Sequence, residues 1–203
     1  MKVAIVDYGA GNLRSVTSAL RSIGCDAAIV ESEEDTHSAR AMILPGVGAA
    51  ADTMDNLRNR GLSEVVTRWI AAERPFMGIC MGMQVLFSYS EEGGGQQCLG
   101  ILPGRVVRLP QNIKVPHMGW NQVHYTRELP VFGSVPDGSD FYFVHSYVAQ
   151  PEDESIVAAR TDYGSPFCSA VQWGPLFATQ FHPEKSGALG LQLYKNFIQM
   201  AAA

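Results

Sequence analysis

The chain has 203 residues, 46% apolar and 17% charged, a composition that supplies a core and excludes disorder. Fifteen basic against 20 acidic residues leave a formal net charge of −5, which argues against a nucleic-acid binder or a polybasic membrane anchor. At roughly 100–200 residues per domain, residues 1–203 are expected to form a single domain.

The expected elements alternate through the first half. Lys2 to Asp7 is a short β-branched run that reads as a buried strand. Its apolar stretch is broken at Asp7, so it does not read as a secretory leader, and no segment approaches the ~20 apolar residues of a membrane span. Tyr8-Gly9-Ala10-Gly11 turns the chain. Asn12 is placed to cap a helix on which Leu13, Val16, Leu20 and Ile23 recur at helical spacing before Gly24 stops it. A strand is expected over Ala27 to Val30, and Ser32 followed by Glu33, Glu34 and Asp35 reads as a second capped helix start. Ala41 to Leu44 is a third strand running into Pro45-Gly46-Val47-Gly48, followed by helical stretches near Ala50–Arg60 and Leu62–Glu73. Pro75 to Ile79 is a fourth strand, with a helix expected from Met81 to Tyr89. Gly93-Gly94-Gly95 reads as a loop tip.

This alternation predicts an α/β fold with a central, mostly parallel sheet flanked by helices. Between Gly100 and about Ala170 the segments are short and punctuated by Pro and Gly. A mixed or antiparallel β extension is expected there, including Phe141–Val144 and Ile156–Ala159. Leu176 to Phe181 is a further strand, and a closing helix turns Leu193, Phe197 and Ile198 to the core.

Gly78-Ile79-Cys80-Met81-Gly82 has the G-x-nucleophile-x-G form, directly after a strand and opening a helix, the context of a nucleophile elbow. A helix N-terminus there favours a thiolate. The bland alternative is a buried structural cysteine between packing glycines. His182 follows the strand that ends at Phe181, so Cys80 and His182 would both lie at carboxyl ends of strands, where α/β sheets hold their sites. Glu184, two residues on, can fix the imidazole tautomer; taken alone, the pair could also be a solvated loop His and an unrelated Glu. The Met81 N–H is one candidate oxyanion donor and the Pro45–Gly48 loop offers a second, although alone that loop reads as a plain turn.

The other histidines are His37, expected at the surface, His124, with no acid at useful spacing, and His117 and His145, candidates for a site rim. None shows metal-ligand spacing, and Cys25, Cys80, Cys98 and Cys168 form no C-x-x-C pair. No metal, cofactor or disulfide is expected, and a reducing, cytoplasmic location is.

The elbow Gly78 to Gln84, with Phe181-His182-Pro183-Glu184-Lys185-Ser186 about a hundred residues on, resembles the triad, or class I, glutamine amidotransferases. Four further segments are similar to the glutaminase subunits of imidazole glycerol phosphate synthases. They are Asp7 to Asn12, Pro45 to Gly48, Pro116-His117-Met118-Gly119-Trp120-Asn121 and Tyr142-Phe143-Val144-His145-Ser146-Tyr147. Ala50 departs from the aromatic expected after the oxyanion loop.

The resemblance implies that Cys80 is the nucleophile, His182 the proton carrier and Glu184 its orienting group. Val47 and Met81 would supply oxyanion amides, and Gly48, Gln84, Ser146 and Tyr147 would hold glutamine. Ammonia would pass to a separate (β/α)8-barrel cyclase subunit of imidazole glycerol phosphate synthase in a heterodimer. Asn12, His117, Trp120, Tyr142 and Lys185 would lie near that interface. A stand-alone cysteine hydrolase, a non-catalytic subunit and the glutaminase of another amidotransferase are the rival readings.

Overall fold

The structure, a computed structural model, describes residues 1–202. The first half comprises β1 (Lys2–Val6), α1 (Leu13–Ser22), β2 (Asp26–Val30), β3 (Ala41–Gly46), α2 (Ala50–Asn59), α3 (Leu62–Ala71), β4 (Phe76–Cys80) and the short α4 (Met81–Gln84). Then come β5 (Phe87–Ser90), β6 (Gln96–Gln97), β7 (Leu102–Arg108), β8 (His117–Tyr125) and β9 (Ser139–His145). They are followed by β10 (Tyr147–Pro151), β11 (Val157–Asp162), β12 (Pro166–Trp173), β13 (Leu176–Thr179) and α5 (Gly187–Ala202).

The main sheet runs β2-β1-β3-β4-β13-β12-β10-β7-β5-β6. Its first five strands are parallel, and β12, β10 and β7 continue it antiparallel. All residues of β3 and β4 are buried, which is why their sequences are apolar runs rather than alternations. Along β1 the alternation separates two cores. Ala4 and Val6 join Leu57 and Val66 of α2 and α3 on one side; Val3 and Ile5 join Leu20 of α1 and Leu193 of α5 on the other. The expected α/β sheet, covered on both faces and extended by antiparallel strands, is the fold observed.

Three expectations are corrected. Ser32 caps no α-helix: its hydroxyl donates to Asp35, closing a local turn, and only a 3-10 turn follows over Glu34–Thr36. The helix after Cys80 stops at Gln84 instead of reaching Tyr89, because Val85, Leu86 and Phe87 are all fully buried and Phe87 pairs with Leu102 of β7. A helix exposing one face could not bury three successive residues. The strand expected to run to Phe181 ends at Thr179, since its parallel partner β4 turns away at Cys80, one residue past the Thr179–Ile79 pair. Lastly, β8 and β9 form an antiparallel ribbon that joins the sheet through β11 and carries Trp120 opposite Tyr142.

Candidate active site

Cys80 terminates β4 with φ 54° and ψ −107°, a left-handed conformation that a non-glycine residue adopts at a cost of ~1–3 kcal/mol. The flanking glycines make the turn possible. A Cβ on Gly82 would stand 1.9 Å from the Leu44 carbonyl oxygen, and one on Gly78 would stand 2.6 Å from that of Gly82. The elbow is thus set by backbone crowding of α4 against β3 and β4. With only one turn in α4, its dipole is a minor influence on the sulfur.

The neighbouring parallel strand β13 brings His182 to the same end of the sheet. The His182 N–H donates to the Tyr142 carbonyl at 2.9 Å, and the Ser186 hydroxyl donates to the His182 carbonyl at 2.6 Å, so the segment is held at both ends. His182 Nδ1 lies 2.8 Å from Glu184 Oε1, with both side chains 1% exposed. The ring's other nitrogen, Nε2, has no ordinary hydrogen bond and is left to face Cys80. Burial lowers the basicity of this imidazole. Hydrogen bonds to Cys80 and Glu184, and the charges of both, outweigh that, and the pKa stands at about 9. The imidazolium, rather than the helix end, is therefore the positive partner of the sulfur. Asn12 precedes α1 but makes no capping bond; its Nδ2 donates instead to Glu184 Oε1 at 3.3 Å.

Cys80 and His182 open onto a cavity of ≈ 240 Å³. This is smaller than the roughly 300–1,000 Å³ of sites for drug-sized ligands and suits an amino acid. Val47, Gly48, Met81, Gln84, Ser146 and Tyr147 line it, so every residue expected to bind glutamine or stabilise an oxyanion is brought together there. Gln84 Nε2 donates to the Tyr147 carbonyl at 3.0 Å and to Gln180 Oε1 at 2.9 Å, and Gln180 Nε2 donates toward Cys80 Sγ at 3.6 Å.

Sequence reasoning missed Glu92, which lines the cavity while accepting the Ala50 N–H at 2.7 Å, and Gln180. It sits two residues before His182 on an expected strand, a spacing that could have flagged it. All four cysteines are free. Burial pushes Cys98 up to about 11 and Cys168 up to about 12, which leaves both as inert thiols. Among the described residues no group of three or more His, Cys, Asp or Glu is placed to hold a metal, and no helix is long and apolar enough to cross a membrane.

Beside the cavity, the ribbon exposes Met118 (62%) and Trp120 (58%). Tyr142 meets Trp120 edge-on at 6.1 Å, and the Lys185 ammonium lies 5.6 Å from the Tyr142 ring. His117 does not share this surface. It is 3% exposed because its side chain turns inward from β8 and stacks between Phe143 and Tyr163. His37 is exposed as expected, whereas His124 does meet an acid, Asp137 at 3.6 Å, supplied by the turn before β9.

A strained cysteine elbow in a parallel sheet, with a histidine and a glutamate beside it in the turn that follows the neighbouring strand, is the arrangement of an acyl-transfer enzyme of the amidotransferase kind. The glutamine amidotransferase class-I family model matches residues 4–200. The imidazole glycerol phosphate synthase subunit HisH of Dehalococcoides mccartyi is 54% identical, over 98% of this chain and 97% of its own. That of Chloroflexus aurantiacus is 51% identical, over 99% and 97%. A solved glutamine amidotransferase superposes with a TM-score of 0.78 at 22% identity, covering 99% of both chains. The chain belongs to the class-I glutamine amidotransferase family and, within it, to the HisH subunits of imidazole glycerol phosphate synthase.

Proposed function

We propose that this chain is the glutaminase subunit of an imidazole glycerol phosphate synthase, acting through Cys80, His182 and Glu184. The observation that carries the reading is the meeting of Cys80 and the Glu184-bound His182 at one small cavity. The Cys80 thiolate attacks the side-chain amide carbon of glutamine, and the negative charge on oxygen is met by the Val47 and Met81 amides. The His182 imidazolium gives its proton to the departing nitrogen, so ammonia leaves and a γ-glutamyl thioester remains. Neutral His182 then takes a proton from water as it attacks the thioester, which releases glutamate and restores the thiolate–imidazolium pair. Glu184 holds the ring throughout. Glu92 gives the cavity a carboxylate suited to the α-ammonium group of glutamine.

Ammonia set free in neutral water is protonated and loses its nucleophilic lone pair, so productive transfer needs a sealed route to the acceptor. The partner in this reading is the (β/α)8-barrel cyclase subunit, in a cytoplasmic heterodimer whose joint reaction is of the lyase type and belongs to histidine biosynthesis. Trp120, Tyr142, Lys185 and Asn12 form its docking face, and Trp and Tyr are typical interface anchors. The Tyr142 backbone bonds both His182 and Ser186, which links that face to the proton carrier. The family match over residues 4–200 supports one domain spanning 1–203.

Glutamate release, measured alone and with the cyclase subunit carrying its nucleotide ligand, tests the reading; equal rates would count against a docked partner. Cys80→Ala should lower glutamine-dependent synthesis by about 10⁴-fold or more and leave ammonia-dependent synthesis intact.

A further inference from the structure

Two buried histidines take no part in these steps. His117 is 3% and His145 6% exposed, and their ring nitrogens meet each other, an amide and a carbonyl. Each proton in this chain has one possible position. The Tyr147 carbonyl can only accept, so His145 Nδ1 bears the hydrogen of their 2.9 Å contact. His145 Nε2 is then bare and accepts from His117 Nδ1 at 2.9 Å. His117 Nε2, bare in turn, accepts from Asn121 Nδ2 at 3.2 Å. The Asn121 amide is itself oriented, since its Nδ2 donates to the Asp162 carbonyl at 2.8 Å and its oxygen accepts the Gln122 N–H at 2.8 Å. Burial holds His117 at about 4 and His145 at about 3, so neither ring gains a proton that would break the sequence near neutral pH.

The chain ends at the Tyr147 carbonyl, where it meets Gln84 Nε2. That amide nitrogen has its two hydrogens committed, one to Tyr147 and one to Gln180. Gln84 Oε1 is left buried and without a donor on a residue that lines the cavity. A buried carbonyl oxygen in that state is costly unless a ligand N–H meets it. We infer that His117 and His145 are positioning residues for substrate: their directed chain fixes the Tyr147 carbonyl, and through it holds Gln84 Oε1 ready for a donor of the bound glutamine. The inference rests on the glutaminase reading above.

His117 stacks on Phe143 at 4.9 Å and Tyr163 at 3.9 Å, so His117→Phe keeps the aromatic packing and deletes the chain. His117→Gln restores one donor and one acceptor. With the loaded cyclase present, His117→Phe should raise the KM for glutamine about tenfold while kcat stays within about threefold, and His117→Gln should return KM to within about threefold of the parent. Alkylation of Cys80 by iodoacetamide, which needs no glutamine site, should keep its rate in both. An unchanged KM in His117→Phe, or equal KM increases in both variants, overturns the inference. Should His117→Phe fail to fold, Asn121→Ala decides: KM about threefold higher supports the chain, and an unaltered KM overturns it. Failure of the parent protein to release glutamate would strike the glutaminase reading itself, a result distinct from a flat KM series.

Discussion

His182 and the His117–His145 pair serve one cavity, are similarly buried, and ionise in opposite directions. Burial works against the charged imidazole in each case. At His117 and His145 nothing opposes it strongly enough, because their partners are an amide, a carbonyl and each other, and they fall to about 4 and about 3. At His182 the Cys80 sulfur and the Glu184 carboxylate override burial, and the ring rises to about 9. The same side chain is thus held charged in one setting and neutral in another. The Cys80 sulfur first, and then the Glu184 carboxylate on a 3-10 turn that opens with Pro183, make the difference.

Glu184→Gln is the most severe way to break that contrast. It leaves the side-chain volume and removes the charge, so His182 should move toward the behaviour of the other pair. Loss of the orienting carboxylate should reduce kcat by about 10³–10⁴-fold. In the parent protein kcat/KM should fall on the alkaline side near pH 9, where His182 loses the proton needed by the leaving nitrogen; in Glu184→Gln that limb should move to lower pH.

Stability should follow the same group. The folded pKa is raised above the ordinary 6.5, so the stabilisation is complete below pH 6.5 and disappears as pH climbs through about 9. It amounts to roughly 3 kcal/mol for a ring so fully buried. Cys80 contributes alike in both proteins, so the excess of the parent's urea midpoint over that of Glu184→Gln should shrink from pH 6 to 10. Parallel curves would show that the carboxylate does not sustain the imidazolium.

The elbow and the His-x-Glu segment were legible in the sequence because the forces that make them act over a few residues: glycines beside Cys80, a strand before it, and Glu184 two places after His182. Parallel strand order then brings the two segments together. The features that were not legible depend on partners distant in sequence. Ser32 is the local exception: its hydroxyl donates to Asp35 three residues on, and the same residue pattern serves a turn as well as a helix cap. Asn12 looks like a cap because caps are local, whereas its acceptor lies 172 residues on. The helix after Cys80 is cut short by a strand pairing with β7, and His117 reads as a rim residue until β9 and Tyr163 close over it. Glu92 came from a segment whose glycines suggested only a loop tip, and the 3-10 turn at Glu92–Gly94 directs its carboxylate to the Ala50 amide.

The mildest test sharpens the neutral side of the comparison. Folded His117 and His145 are depressed below the unfolded value of about 6.5, so their contribution to stability is complete above that pH and is lost as pH falls toward about 4 and about 3, while the unfolded chain takes up protons. His182 contributes no slope in this window, since it is protonated in the folded state throughout and in the unfolded chain over most of it. The carboxylates titrate alike in parent and variant and cancel in the difference. His117→Phe should therefore make the acid decline of stability shallower between pH 6.5 and 4, by up to one proton's worth, about 1.4 kcal/mol per pH unit. Denaturant midpoints taken at half-unit pH steps measure this. Equal slopes in the two proteins would mean that His117 already carries a proton in the fold, and the division between a charged and a neutral histidine wall would no longer stand.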